Sequence, residues 1–121
     1  GFVARYTVRG SLDRRFGRNG VRLVSFPGGF SGRSIVVQGD RIVALGEIAS
    51  AGLRPAFGIV GLTNVGTLDG LFGSGGRART SFGQRSADSP AQLLADSSGR
   101  LIATGTAEMR FAVARYRGSS D

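Results

Sequence analysis

The stretch "GSLDRRFGRNG" (Gly10–Gly20) returns as "GTLDGLFGSGG" (Gly66–Gly76), so that Gly-x-Leu-Asp-x-x-Phe-Gly-x-x-Gly stands twice in one short chain. Sliding the sequence by 56 positions extends the match in both directions. Phe2–Phe26 aligned with Gly58–Phe82 gives nine identities in twenty-five positions, among them Thr7/Thr63, Ser25/Ser81 and Phe26/Phe82. A second block follows at a spacing of 59, where Arg41, Ala44 and Gly46 meet Arg100, Ala103 and Gly105. A third start appears at Phe111, because "FAVARY" (Phe111–Tyr116) repeats "FVARY" (Phe2–Tyr6) and "RGSSD" echoes "RGSLD". Internal repetition at such a period signals a stacked-repeat architecture. The units run approximately over residues 2–56, 57–110 and, incomplete, 111–121, and the chain reads as one repeat segment rather than separate domains.

Strand signals fill each unit. "SIVVQ" (Ser34–Gln38) and "RIVALGE" (Arg41–Glu47) have continuous apolar centres, as strands covered on both faces do, and Gly39-Asp40 between them is a two-residue hairpin signal. "FGIVGL" (Phe57–Leu62) is again apolar, whereas "GRARTSF" (Gly76–Phe82) alternates and predicts a half-exposed outer strand. "SPAQLLADSSGR" (Ser89–Arg100) opens like a helix, but its repeat partner is a strand, which favours a strand here too. Three buried strands and one more polar strand, joined by short connections, predict an all-β fold of tandem four-stranded antiparallel blades in the manner of a β-propeller. Nine strands are expected between Phe2 and Tyr116: the last two of one blade, four of the next and three of a third. Closed propellers use about four to eight blades, so the chain is expected to be a fragment of a longer propeller or to complete a ring with identical copies of itself.

Composition narrows the chemistry. The 121 residues contain 21 glycines and no cysteine or histidine, which excludes disulfides, thiolate chemistry and imidazole-based catalysis, and with them ordinary zinc sites. All sixteen cations are arginine, scattered from Arg5 to Arg117, for a net charge of +8. That dispersion argues for solvated arginines on β surfaces and against nucleic acid as a partner, although a convergent stripe would bind polyanions. No apolar run approaches the ~20 residues of a membrane helix, and the first residues lack the basic stretch and apolar block of a signal peptide, so any export signal is expected to lie outside this chain or to have been removed.

Asp13 and Asp69 hold the same slot in successive units and so are expected on different blades, too far apart to act as a catalytic carboxylate pair. One carboxylate among three arginines makes a poor calcium loop. A turn role fits better: the aspartate bonds nearby backbone N–H groups, glycines such as Gly10, Gly17 and Gly20, and Gly66, Gly73 and Gly76, supply positive φ, and Leu12, Phe16, Leu68 and Phe72 cover the end of each apolar layer. No cofactor or metal is expected. The variable connections "IASAGLRPA" (Ile48–Ala56), "FPGGFSGR" (Phe26–Arg33) and "FGQRSADSPA" (Phe82–Ala91) are where a ligand would be met.

"FVARYTVRGSLDRRFGRNGV" (Phe2–Val21) and "VVQGDRIVALG" (Val36–Gly46) resemble the delta-60 repeat family of bacteria, whose unit couples an Ala-Arg-Tyr strand to a Leu-Asp-x-x-Phe-Gly turn and then to a hairpin. The second copy departs from that pattern, lacking Ala-Arg-Tyr in "FGIVGL" and the Pro and Asp of the hairpin turn in "LLADSSGRLIATG" (Leu93–Gly105). The resemblance implies a propeller-like repeat, usual in large exported or cell-surface proteins of bacteria, and implies no activity; the chain itself is expected to be a non-catalytic scaffold or protein-interaction module of such a protein. Its partners would be the remaining blades or further copies, with a protein or a glycan as ligand. A carbohydrate-binding propeller built from several short chains and an arginine-mediated binder of polyanions or nucleic acid are the alternatives.

Overall fold

The computed structural model describes residues 1–49, 54–83 and 86–117. These residues form nine strands and no helix: β1 (Phe2–Ala4), β2 (Val21–Leu23), β3 (Phe30–Gln38), β4 (Arg41–Ile48), β5 (Ala56–Thr63), β6 (Arg77–Thr80), β7 (Asp88–Ala95), β8 (Leu101–Ala107) and β9 (Arg110–Tyr116). All pairings are antiparallel. They make a two-stranded sheet β1-β2, a four-stranded sheet β3-β4-β5-β6 and a three-stranded sheet β7-β8-β9, each in chain order and none closed into a barrel. The sequence unit and the sheet are out of phase: residues 2–56 supply both strands of the first sheet and the first two of the second.

Two apolar seams join the sheets, and they share the middle one. Alternate residues of β4 and β5 point opposite ways. Ile42, Ala44, Val60 and Leu62 enter the first seam with Phe16, Val24 and the partly buried Val3. Val43, Leu45, Phe57 and Ile59 enter the second with Leu93, Leu101, Ala103 and Ala112. Covering on both faces is why β4 and β5 read as unbroken apolar runs. The sheets are also tied by polar contacts: Ser34 Oγ accepts from the Leu93 amide at 3.0 Å, and the Gln38 side-chain amide donates to the Gly99 carbonyl at 2.6 Å.

Two expectations change in detail. The strands β3 and β7 begin earlier than their apolar cores, at Phe30 and Asp88, so Phe30–Arg33 of "FPGGFSGR" and Asp88–Ala91 of "FGQRSADSPA" are strand rather than loop, while residues 84–85 of the latter lie outside the described residues. Each accommodates one extra residue as a bulge, Arg33 and Ala91, between Gly32 and Ser34 and between Pro90 and Gln92. Bulged segments lose clean alternation, which hides their strand character in the sequence. Of "IASAGLRPA", β4 keeps Ile48 and β5 keeps Ala56, while residues 50–53 lie outside the described residues.

Candidate functional site

The Leu-Asp-x-x-Phe-Gly turn links β1 to β2 and, one unit later, β5 to β6. The two copies agree bond for bond. The Asp13 amide donates to Arg5 O at 2.8 Å and the Asp69 amide to Gly61 O at 2.9 Å; the Phe16 and Phe72 amides donate to the aspartate carbonyls at 3.0 Å; the Gly20 and Gly76 amides donate to the Phe16 and Phe72 carbonyls at 2.8 Å. Gly10 and Gly66 share φ 88°, and Gly17 and Gly73 share φ 56°, a region that L side chains visit at a cost. Alanine at Gly17 or Gly73 would also bring its Cβ within 2.4 Å of the Val21 carbonyl oxygen or 2.3 Å of that of Arg77. The motif is spelled the same way twice because the backbone takes the same path twice.

Each aspartate caps that path. Asp13 accepts from the Arg15 amide at 3.1 Å and Asp69 from the Leu71 amide at 3.0 Å, two residues on in both cases. The other carboxylate oxygen takes a guanidinium, but from different parts of the fold: Arg5 follows β1 and Arg41 opens β4. Arg5 serves Asp13 at 3.1 Å and lies over the Phe16 ring at 4.8 Å; Arg41, at the start of β4, serves Asp69 at 2.7 Å and lies over Phe72 at 5.4 Å. The exchange follows from the residue at that slot. Arg5 is replaced by Gly61 in the second copy, where Phe72 lies so close that a Cβ would approach its ring at 2.6 Å, and the neighbouring strand provides the cation instead. This clamp was not foreseen from sequence, although the missing Ala-Arg-Tyr of the second copy marked the place.

A third acid behaves likewise in the β7–β8 hairpin, where Asp96 accepts from the Ser98 and Arg100 amides at 2.8 and 2.9 Å and from the Arg100 side chain at 2.8 Å. All three carboxyls are held below the ordinary carboxylate range. For Asp69 the leading cause is the Arg41 side-chain hydrogen bond; for Asp13 and Asp96 it is a backbone amide, from Arg15 and Arg100, and partial burial opposes the shift in each. A folded-state pKa below the unfolded value of about 3.9 means stability that is full above that value and is lost as pH falls through the folded value. Protonating all eight carboxyls would also raise the net charge from +8 to +16, since sixteen arginines then stand alone. Melting temperature is therefore expected to be level from about pH 7 to pH 5 and to drop below about pH 4, followed by differential scanning calorimetry; a melting temperature that rises on acidification would contradict the clamps.

Phe16 is fully buried in the first seam and Phe72 in the second, while Leu68 packs into the first. Leu12 departs from expectation: it is 39% exposed, because no sheet of the described residues lies on its side of β1-β2. Tyr116 packs into the second seam, its hydroxyl paired with that of Thr80 and its pKa raised by burial, whereas Tyr6 is 62% exposed rather than packed.

Between the β3–β4 hairpin, the second turn and the β7–β8 hairpin lies an open polar cleft of about 590 Å³, lined by Gln38, Asp40, Arg41, Asn64, Asp69 and Ser98 among others. It can hydrogen-bond a small polar ligand, but no aromatic ring lines it to give a sugar a flat apolar platform. No group of three or more potential metal ligands converges among the described residues, and no helix there is long and apolar enough to cross a membrane. The acid Asp88 is buried but satisfied, accepting from the Phe82 amide at 2.9 Å and from Ser86. Five arginines form ion pairs among the described residues, with Asp13, Glu47, Asp69 or Asp96, so part of the basic surplus is already committed within the fold. No protein-family model, no curated protein and no solved structure matches this chain.

Proposed function

We propose that the chain is a non-catalytic, propeller-type repeat module of the delta-60 kind, serving as a scaffold or protein-interaction segment of a larger bacterial surface or secreted protein. The observation that carries this is the shared backbone hydrogen bonding of the two turns, in which each acid is spent on a backbone amide and a guanidinium. A carboxylate so engaged is poorly placed to act as a base or nucleophile. Three antiparallel sheets in chain order, the middle one buried on both faces, support a blade-like stack.

Asp69→Asn tests this role. The substitution keeps the side chain's size and removes the charge that holds Arg41, so a lower melting temperature is expected, with retention on immobilised heparin and binding to a glycan array both unchanged from wild type. Loss of glycan or heparin binding with the melting temperature intact would assign Asp69 to a ligand site, and the scaffold role would fall.

A further inference from the structure

Val-Ala-Arg-Tyr occurs at both ends of the fold, as Val3–Tyr6 and Val113–Tyr116, and each occurrence is half covered. At the first, Val3 packs into the first seam and Tyr6 is 62% exposed; at the second, Tyr116 packs into the second seam and Val113 is 49% exposed. In the middle sheet the counterparts of both residues, Ile59 and Leu62, are fully buried. The same asymmetry recurs at other repeat positions. Phe57 is 0% exposed, while Phe111, which takes its place in the pairing register of the third sheet, is 78% exposed. Leu68 lies in the first seam while Leu12 is 39% exposed, and a Cβ on Gly66 would meet the Gly17 backbone at 2.8 Å while one on Gly10 would meet nothing within 4 Å.

The outer face of the third sheet, with Leu94, Phe111 and Val113, is thus the counterpart of the middle-sheet face buried in the second seam. The outer face of the first sheet, with Phe2, Tyr6 and Leu23, is the counterpart of the opposite one. The two halves of one interface are presented at opposite ends of a single chain.

Taking the repeat-module role as its basis, we propose that a second copy of this chain docks head to tail, its β1-β2 face on the β7-β8-β9 face of the first, reproducing the internal seams. A polar hook comes with it. Arg5 donates from the first turn to the Asn64 carbonyl, and the Gly17 amide donates to the Val65 carbonyl at 2.8 Å. Arg115 is the counterpart of Arg5, and the fully exposed Val8 of the incoming copy is the counterpart of Asn64, so the Arg115 guanidinium meets the Val8 carbonyl. Such a contact is heterologous: it does not close in a pair, and it grows into longer assemblies or a ring.

Sedimentation velocity on the 121-residue chain tests the docking with Val113→Asp, which blocks one end, and Tyr6→Asp, which blocks the other. Both positions are exposed, so each variant is expected to match dilute wild type in circular dichroism and melting; Arg115→Ala and Leu23→Ser replace any that does not. Wild-type mass is expected to rise with concentration, either variant alone to stay at one chain, and their equimolar mixture to reach two chains and no more. A wild type that stays at one chain at its highest soluble concentration, a variant that associates as wild type does, or a mixture that remains single would each overturn the docking. A single-chain wild type whose Asp69→Asn variant loses only stability overturns the docking and leaves the module role standing; loss of ligand binding in Asp69→Asn overturns the role itself.

Discussion

Replacing Gly73 with alanine is expected to destabilise the fold by about 2–5 kcal/mol, whereas the same change at Gly10 should cost only about 1–2 kcal/mol. Both residues have positive φ, 56° and 88°, so both alanines incur the left-handed conformational penalty. The difference is what the new methyl meets. At Gly10 there is open space; at Gly73 the Cβ would sit 2.3 Å from the Arg77 carbonyl oxygen and 2.8 Å from its carbon. That oxygen cannot retreat freely, because it accepts the Ser74 amide at 2.8 Å and closes the turn into β6. Relief requires breaking the bond or shifting β6 away from β5. With total stability on the order of 5–15 kcal/mol for a domain, a drop in melting temperature on the order of 10 °C is expected for Gly73→Ala, measured by calorimetry beside Gly10→Ala. Equal melting points for the two variants would show that the turn relaxes more easily than its hydrogen bonds imply.

The same contrast explains how much was legible in advance. Positive-φ glycines, a capping aspartate and a buried phenylalanine are local requirements, and local requirements leave a spelling that recurs once per unit. The nine strands and their division into two, four and three were readable for a related reason: strands such as β4, covered on both faces, become continuous apolar runs. What stayed hidden depends on distance through space. No pattern in the chain says that Arg41, twenty-eight residues before Asp69, takes the role that Arg5 has eight residues before Asp13. Leu12 departs from its expected cover because repetition fixes which way a side chain faces, not whether a neighbour stands there.

Phe57→Ala is expected to be the most damaging single truncation in the second seam, at about 3–5 kcal/mol. The ring is fully buried, meets Phe82 edge to face at 5.1 Å between centroids, and leaves so little room that a Cβ on Gly105 would come within 2.7 Å of it. Alanine removes that ring from the contact between the second and third sheets and leaves a cavity there. Filling the hole from the opposite side is not expected to work, because the methyl of Gly105→Ala would also lie 2.1 Å from the Ser89 carbonyl oxygen. The double variant should therefore be no more stable than Phe57→Ala alone. Phe111→Ala supplies the control from within the chain. It truncates the same repeat position on the uncovered face, where the ring is 78% exposed, and at concentrations low enough to keep chains apart it should change stability by less than about 0.5 kcal/mol. Urea unfolding of both variants decides the matter: a large loss for Phe57 beside none for Phe111 shows that a repeat position contributes stability only where a second sheet covers it, and equal losses would mean that Phe111 is buried by its own sheet.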